Sequence, residues 1–246
     1  MVKKGEEKDM LEVRNLKKDF GTFSAVKGVT FSVKEGEVLG FLGPNGAGKS
    51  TTMRMITGFL PPTSGTAVIN GHDITKDPVA AKGDLGYLPE AAPSYRAMTV
   101  RDYLKFIAEV RGKGAAEVDG ALRLAKLEDK AGQTIETLSK GYRQRTAFAA
   151  AILHDPKVLI MDEPTDGLDP NQKFTVREMI KDMAAKGKAI IISTHILEEV
   201  DAVCTKVVVI ADGEKKFDGT PDELKAMDPS GRLDVVFRNL TMKEAK

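Results

Sequence analysis

The spacing of apolar residues changes its period along the chain, and this change divides the sequence into regions. In the first region, short apolar runs alternate with turns at 19–21 and 34–36, and such runs are typical of strands. A further β segment follows a loop that contains two prolines. The strands are predicted at residues 11–13, 25–26, 29–33, 37–42 and 66–71.

From residue 100 to residue 154 the apolar positions follow a helical period instead. One face of the first predicted helix carries a stripe of aromatic and aliphatic residues, which we interpret as core packing. Two more helices are predicted near 121–127 and at 142–153. The stripe consists of Tyr103, Phe106, Ile107 and Val110.

Beyond residue 155 apolar strands alternate with helices. This alternation predicts a parallel sheet with helices on both faces. Asp212 and Gly213 predict a hairpin turn into a strand at 215–217, whereas the tail beyond Asp228 gives no clear prediction. The strands are predicted at residues 157–161, 189–193 and 207–210, and the helices at 172–185 and 196–202.

Composition and charge are those of a globular protein. The 246 residues are 41% hydrophobic and 30% charged, which is enough chain for a substantial core. The net charge of +1 creates no global field toward nucleic acid or anionic lipid, so we expect no nucleic-acid partner. Cys204 is the only cysteine, which excludes an intrachain disulfide; we expect it to be a small apolar filler.

The sequence predicts a cytosolic protein. The longest apolar stretches, at 147–153 and 207–211, are far too short to span a membrane. Residues 1–10 include lysines but no apolar run follows them, so no signal peptide is expected.

A glycine-rich stretch between the strand at 37–42 and a predicted helix at 50–57 fits the pattern G-x-x-x-x-G-K-[ST]. Its glycines let the backbone aim several N–H groups at one anion, and the helix N-terminus adds a partial positive charge. Lys49 can reach the β- and γ-phosphates of a nucleoside triphosphate, and the Ser50 hydroxyl can ligate Mg²⁺. The residues expected at the phosphates are Gly43, Pro44, Asn45, Gly46, Ala47, Gly48, Lys49, Ser50 and Thr51.

Two carboxylates follow directly after the apolar run at 158–161. Asp162 ends the predicted strand, where it can face a metal ion, and Glu163 comes one residue later, where it can orient or deprotonate a water. Phosphoryl transfer to water requires both a residue that faces the metal ion and a residue that orients or deprotonates the water. Acidic residues after apolar strands are common. The motif therefore indicates a nucleotide site only in combination with the glycine-rich loop.

A third motif, at 138–145, opens the helix predicted at 142–153. Ser139 and Gly141 precede its first turn, and the free N–H groups there can bind an anion. Taken alone, the segment also fits an ordinary N-capped helix.

Together, the order and spacing of these motifs resemble the ATP-binding subunits of ABC transporters. Residues 138–142 resemble the family signature LSGGQ, with Lys140 in place of the first glycine and Tyr142 in place of the glutamine. Asp162 and Glu163 correspond to the Walker B aspartate and the catalytic glutamate. The resemblance therefore implies a signature formed by Ser139, Lys140, Gly141 and Tyr142, which acts on the nucleotide of a second chain.

Four other positions match the family. Asp169 stands in the D-loop, and His195 stands where the family has its switch histidine, a contact of the γ-phosphate. Phe20 takes the place of the aromatic residue that stacks on adenine. Glu90 takes the place of the Q-loop glutamine, and we expect it to be a ligand of Mg²⁺ together with Ser50 and Asp162. The implied catalytic residues are Glu163, His195 and Lys49.

The resemblance implies an α/β fold of the P-loop NTPase type. Its RecA-like core contains a parallel sheet and is preceded by an antiparallel β subdomain. A helical signature subdomain is inserted at about residues 91–155, and a hairpin and tail occupy about 212–246. Residues 1–246 are expected to form one ATPase domain, and the loop at 91–99 is the candidate contact with a partner.

The implied activity is ATP hydrolysis that drives transport. The cofactors are ATP and Mg²⁺, and two copies of the chain sandwich two ATP molecules. Separately encoded, polytopic transmembrane permease subunits hold the chain at the cytoplasmic face of the membrane. Residues around Glu90 and the signature most resemble type-2 ABC exporters, including multidrug and gliding-motility ATPases.

Other functions remain open from the sequence. A soluble ABC ATPase of DNA repair would carry a long coiled coil between Gly43 and Asp162, for which there is no room, and a translation-type ATPase would contain two such units. A P-loop kinase is opposed by the signature, and a GTPase by the lack of an N-K-x-D motif. His72 and His154 have no motif around them and are expected at the surface.

Overall fold

The strands of the protein form two sheets in the computed structural model, which describes residues 8–91 and 94–242. Residues 92 and 93 of the loop expected to contact a partner lie outside this described part. The strands are β1 (Asp9–Phe20), β2 (Phe23–Lys34), β3 (Val38–Leu42), β4 (Ser64–Ile69), β5 (His72–Asp73), β6 (Leu85–Leu88), β7 (Val158–Asp162), β8 (Ala189–Thr194), β9 (Lys206–Ala211) and β10 (Glu214–Gly219).

The first sheet is antiparallel, as the family resemblance implies, with strand order β2-β1-β4-β5. Its first two strands are longer than the short runs predicted from the sequence. They form one hairpin in which Phe20 pairs with Phe23 across the turn. Register shifts interrupt the pairing, and Asn15 has a positive φ of 48°. These irregularities break the alternation of apolar and polar residues, so the sequence predicts several short strands instead of two long ones.

The second sheet has the order β10-β9-β3-β8-β7-β6. The five strands from β9 to β6 are parallel to one another, and β10 pairs with β9 in the antiparallel direction through the predicted hairpin. β3, β8 and β7 are adjacent and fully buried. Because the carboxyl ends of parallel strands meet at one edge, the segments that follow these three strands come together.

Helices cover the second sheet and fill the interval between β6 and β7. Thr99 and Ser139 accept hydrogen bonds from backbone N–H groups at the start of α3 and α5, respectively. α3, α4 and α5 occupy the interval of the predicted helical subdomain, whose boundaries stay a prediction. The helices are α1 (Lys49–Ile56), α2 (Pro78–Gly83), α3 (Val100–Val110), α4 (Ala115–Leu124), α5 (Lys140–Ile152), α6 (Pro170–Ala185), α7 (Leu197–Val203), α8 (Pro221–Lys225) and α9 (Leu233–Thr241).

The stripe on α3 is only partly core, which corrects the interpretation made from the sequence. Tyr103 is buried, but Phe106 is 36% exposed and Val110 is 69% exposed. The buried face of the helix instead includes Leu104 and Ala108. The apolar stripe is therefore wider than the core requires, and part of it is left at the surface.

The expectation that His154 lies at the surface is wrong. Its ring is buried, and its Nε2 lies 3.1 Å from the carbonyl oxygen of Leu85. Its Nδ1 is buried without a hydrogen-bond partner among the described residues. Burial, together with the positive charge of Arg111, lowers the pKa of His154 to about 4. His72 is half-buried.

We predict that His154 makes the fold less stable in mild acid. An unfolded histidine with a pKa near its usual value of 6.5 binds a proton that the folded protein binds only near pH 4. The free energy of unfolding should therefore fall as the pH decreases through this window, by roughly 2 kcal/mol between pH 7 and pH 5 from this residue. Urea titrations of the wild type and of His154→Gln measure the effect.

The His154→Gln variant should lose this part of the pH dependence, and His72→Gln should keep it. Equal slopes of unfolding free energy against pH in all three proteins would mean that His154 titrates normally in the folded state.

Candidate functional site

The glycine-rich loop joins β3 to α1 at the carboxyl edge of the parallel sheet. Gly43 lies against β9, where a Cβ atom would approach the Ile210 carbonyl oxygen to 2.4 Å. Gly48 precedes α1 with φ of 102°, in the left-handed region that favours glycine. Ala47 is buried in the core. The loop is thus fixed against the sheet, with the N-terminus of α1 facing outward.

Lys49, the first residue of α1, turns back over the loop. Its side chain is only 6% exposed, and its Nζ donates hydrogen bonds to the carbonyl oxygens of Gly43 at 2.7 Å and Pro44 at 3.3 Å. Burial lowers the pKa of this ammonium group, whereas Glu163, Asp162 and Glu90 raise it in part. The site therefore holds one buried cation facing three carboxylates.

The acidic motif lies directly opposite. Asp162 ends β7, is buried, and accepts a hydrogen bond from the Ser193 hydroxyl of the neighbouring strand. Glu163 follows with a positive φ of 50°, a strained conformation for a non-glycine residue that occurs often at functional sites. Its Oε1 lies 3.9 Å from Lys49 Nζ and 3.0 Å from His195 Nδ1.

The second carboxylate oxygen of Glu163 has no partner. Glu163 Oε2 is buried and makes no hydrogen bond within the described part of the chain. A buried carboxylate oxygen is costly to leave unpaired, and such an exception calls for an unseen water, ion or substrate group.

Lys49, Glu163 and His195 line one open cleft of about 470 Å³. The cleft brings together most residues that the sequence predicts at the nucleotide. It also contains Phe23 and Asp166, which the sequence reasoning missed. An aromatic residue on each side of the turn at Gly21 was the available signal for Phe23, whereas Asp166 carried none. The predicted residues in the cleft are Phe20, Pro44, Asn45, Gly46, Gly48, Lys49, Ser50, Thr51, Glu90, Glu163 and His195.

The two aromatic residues form the outer wall of the cleft. Phe20 is 49% exposed, and the ammonium group of Lys18 lies 5.2 Å from the centre of its ring. Phe23 is more exposed still. Exposed aromatic rings beside a phosphate-binding loop offer stacking surfaces for a nucleobase.

A second cavity, of about 410 Å³, adjoins the cleft and contains the oxygen donors expected for a metal ion. Ser50, Glu90, Asp162 and Glu163 line it, together with Lys140. Within residues 8–91 and 94–242, no three His, Cys, Asp or Glu side chains converge closely enough to form a complete metal site. A cation here would therefore take part of its coordination from a ligand or from water.

The signature residues face in different directions. Ser139 accepts a hydrogen bond from the N–H of Tyr142 at 3.4 Å and so caps α5. Lys140 Nζ lies 3.4 Å from Asp166 Oδ2. The ring of Tyr142 packs between Lys130 and Arg145, away from the cleft.

Gly141 contacts the helix that follows the D-loop. A Cβ atom on Gly141 would lie 2.7 Å from Gln172 Oε1, so the glycine allows α5 and α6 to approach closely. Asp169 caps α6 by accepting hydrogen bonds from Asn171 N and Gln172 N, both at 3.0 Å. Ser139, Gly141, Tyr142 and Asp169 are absent from the residues that line either cavity of this chain.

A search among known proteins identifies the family. The family model described as ABC transporter matches residues 26–166. No helix in the described part of the chain has the length and apolar character to cross a membrane.

Curated relatives carry names from the same family. The chain is 39% identical over 222 residues to the linearmycin resistance ATP-binding protein LnrL of Bacillus subtilis, covering 87% of this chain and 70% of that protein. It is 38% identical over 222 residues to the Nod factor export ATP-binding protein I of Paraburkholderia xenovorans, covering 89% and 73%. The probable multidrug ABC transporter ATP-binding protein YbhF of Escherichia coli is 38% identical, but the match spans only 38% of its length.

Solved structures have the same fold. An ATP-binding subunit of an ABC transporter superposes with a TM-score of 0.85 at 32% identity, covering 95% of this chain and all of that one. CbiO1 of Clostridium perfringens, described as part of the ABC transporter complex cbiONQ, superposes with a TM-score of 0.80 at 31% identity, covering 90% and 92%.

These findings confirm the P-loop NTPase fold. They do not favour the alternative of a DNA-repair or translation ATPase, nor that of a kinase or GTPase. The chain belongs to the ABC transporter family and is an ATP-binding subunit with ATPase activity.

Proposed function

We propose that this chain hydrolyses Mg²⁺-bound ATP as one half of a two-chain sandwich and thereby drives export through separate membrane subunits. The observation that carries the proposal is the contact of Glu163 with both Lys49 and His195 in one cleft. The names of the relatives, which include linearmycin resistance and Nod factor export, support the direction of transport.

ATP would lie along the cleft with its adenine against the aromatic wall. A ring stacked on Phe20 would contribute about 1–3 kcal/mol if it resembles other base–aromatic contacts. The triphosphate would replace the carbonyl oxygens of Gly43 and Pro44 as partners of the Lys49 ammonium group. Residues 43–51 would supply the backbone donors.

The oxygen donors of the second cavity fit Mg²⁺. This ion usually keeps waters and binds one or two carboxylates plus substrate phosphates, so a site without a complete protein cage among the described residues is compatible with it. Ser50, Asp162 and Glu90 would hold it, with Asp162 oriented by Ser193. When bound, the ion would neutralise charge on the phosphates.

Glu163 is suited to be the base that activates water. One of its oxygens contacts His195, and the other is buried and unpaired among the described residues, so it is available to accept a proton. His195, which contacts Glu163 through Oε1, would also contact the γ-phosphate. Lys49 would hold the phosphate during the reaction.

A second copy of the chain would complete each site. Ser139 and Gly141 line neither cavity of their own chain, and the N-terminus of α5 can meet a phosphate only from outside. We infer that it approaches the γ-phosphate held by the other chain, as the family resemblance implies. Asp169, at the start of α6, would lie at the same junction.

The groove beside the cleft is the proposed contact with a membrane subunit, at the cytoplasmic face. It has a volume of about 590 Å³ and includes Ile107 and Val110 of the exposed stripe. Arg54, Lys82 and Arg111 also line it. This combination fits an amphipathic partner segment with apolar and acidic residues.

Neighbouring residues link this groove to the nucleotide. Pro89 lines the groove, and Glu90 lines both nucleotide cavities. The loop at 91–99, the partner contact expected from the sequence, begins at the same point. A shift of this loop on nucleotide binding would therefore reach the partner directly.

We predict that Glu163→Gln binds ATP normally but loses hydrolysis. The amide keeps the shape of the side chain and removes the base, so turnover should fall by about a hundredfold or more. Steady-state phosphate release measures turnover, and fluorescent nucleotide titration measures binding. Glu178→Gln, on the exposed face of α6, is the matched control and should keep full activity. Normal turnover in Glu163→Gln would exclude Glu163 as the base.

Mixing two inactive variants tests whether the sites are shared. Lys49→Ala removes the phosphate-binding cation, and Ser139→Asp places a carboxylate at the partner's phosphate. Aspartate caps helices as well as serine does, so Ser139→Asp spares α5, and Ser139→Asn is the uncharged control. Gly141→Asp would be less clean because its side chain would meet Gln172.

Each variant alone should be inactive, and an equal mixture should recover up to about a quarter of wild-type turnover, because half of randomly mixed dimers hold one intact site. Subunit exchange is verified with differently labelled chains. A mixture that exchanges subunits and stays inactive at every ratio would contradict the shared site.

The groove gives a prediction for the membrane partner. Val110→Glu places a carboxylate among apolar residues that face no core, so ATPase activity of the isolated chain should remain. Capture of the coexpressed membrane subunit should fall by about tenfold or more. Met227→Glu, at an exposed position after α8, is the control. Unchanged capture by Val110→Glu would place the partner elsewhere.

A further inference from the structure

An ion pair between a half-buried arginine and a buried glutamate joins the two helices that lead away from the catalytic residues. Arg177, on α6, donates two hydrogen bonds to Glu199 on α7, from its Nε at 3.2 Å and from Nη2 at 2.7 Å. The Glu199 residue is 1% exposed. Glu198 adds a second carboxylate 3.0 Å from the same guanidinium group, at the surface.

The pair is specific in geometry as well as in charge. A two-point contact between a guanidinium and a carboxylate fixes the relative orientation of both groups, which a lysine cannot reproduce. The hydrogen bonds that Arg177 donates to Glu199 raise the pKa of its guanidinium group. Buried ion pairs contribute little net stability on average, so such a pair is better explained by the orientation that it imposes.

The segments that lead into both helices carry the proposed catalytic residues. Glu163 lies on the segment that leads from β7 to α6, and His195 lies just before α7. The strands themselves are aligned by the pairing of Asp162 with Ser193, and the N–H of Glu163 donates to the Ser193 carbonyl oxygen at 3.0 Å. Beyond the strand ends, however, the Glu163–His195 contact depends on how the two connecting segments lie against each other.

Apolar packing alone does not fix that placement. α6 buries Val176, Met179 and Ile180 against the core, but contacts between apolar side chains are not directional. The contacts of Arg177 with Glu199 and Glu198 supply a directional link between α6 and α7. We infer that Arg177 and Glu199 are positioning residues that hold His195 against Glu163. This inference rests on the catalytic roles given to those two residues in the proposed function.

The expected effect is on the rate of the chemical step and not on nucleotide binding. Lys49 and Ser50 lie on α1, and Phe20 lies at the hairpin, so the ion pair touches none of the ATP-binding residues. In Arg177→Met and Glu199→Gln, kcat should fall by about tenfold or more while KM for ATP stays within about twofold. Arg177→Lys keeps the charge without the two-point contact and should recover only part of kcat.

Two controls separate positioning from general stability. Lys181→Met breaks the exposed Lys181–Glu178 pair on the same helix and should keep wild-type kcat. Val118→Ala removes buried volume from α4 and lowers the melting temperature while leaving both members of the ion pair in place. If Val118→Ala and Arg177→Met lose similar thermal stability and lose kcat equally, the ion pair is only structural and the inference is wrong.

A double-variant cycle tests the route through His195. If Arg177 acts by holding that histidine, Arg177→Met should change single-turnover hydrolysis by less than about twofold once His195→Ala is present. An undiminished loss in the His195→Ala background would overturn the inference. If Arg177→Met fails to fold, the same cycle with His195→Ala is measured with Arg177→Lys and Glu199→Gln.

Different results would contradict the proposed function and the positioning role of Arg177. If the wild-type protein neither binds nor hydrolyses ATP, the proposed function itself is contradicted. A wild-type enzyme with normal turnover, together with an Arg177→Met variant of equal kcat, would leave the proposed function intact and contradict only the positioning role.

Discussion

The parallel pairing of β3, β8 and β7 is the constraint on which the site depends. Leu42 pairs with Thr194, and Asp162 pairs with Ser193, so the three strands end at the same level of the sheet. The glycine-rich loop, His195 and the acidic motif each stand at the end of one of these strands. The ends of these strands therefore bring residues that are far apart in the sequence into one cleft.

Within that cleft, charge decides what can bind. Lys49 is a buried ammonium group held by backbone carbonyl oxygens and opposed by Glu163, Asp162 and Glu90. A triphosphate alone would add negative charge to a site that already contains three carboxylates. We therefore propose that the triphosphate binds together with a divalent cation, for which Ser50 would supply a neutral oxygen.

Much of the site could be predicted because its signals are local. The glycine-rich loop, the acids after β7 and the histidine after β8 each occupy a few consecutive residues, and their backbone context follows from short apolar runs. The continuous length of β1 and β2 could not be predicted, because bulges interrupt the alternation that indicates a strand. The family resemblance, and not periodicity, supplied the roles of Phe20 and the signature.

Features set by tertiary packing were missed. Burial of His154 depends on its contact with Leu85, which lies far away in the sequence. The exposure of Phe106 and Val110 depends on where α3 meets its neighbours, and Phe23 reaches the cleft only through the hairpin. The contact of Gly141 with Gln172 joins two helices from different motifs, and neither motif indicates it.

The binding of the triphosphate by Lys49 can be measured directly by calorimetric titration with Mg²⁺ present. ATP and AMP are titrated into the wild type and into Lys49→Ala; AMP carries the adenine and lacks the β- and γ-phosphates. Lys49→Ala should weaken ATP binding by at least about tenfold, or about 1.4 kcal/mol, and leave AMP binding unchanged. Equal ATP affinity in the two proteins would contradict the placement of the triphosphate on this loop.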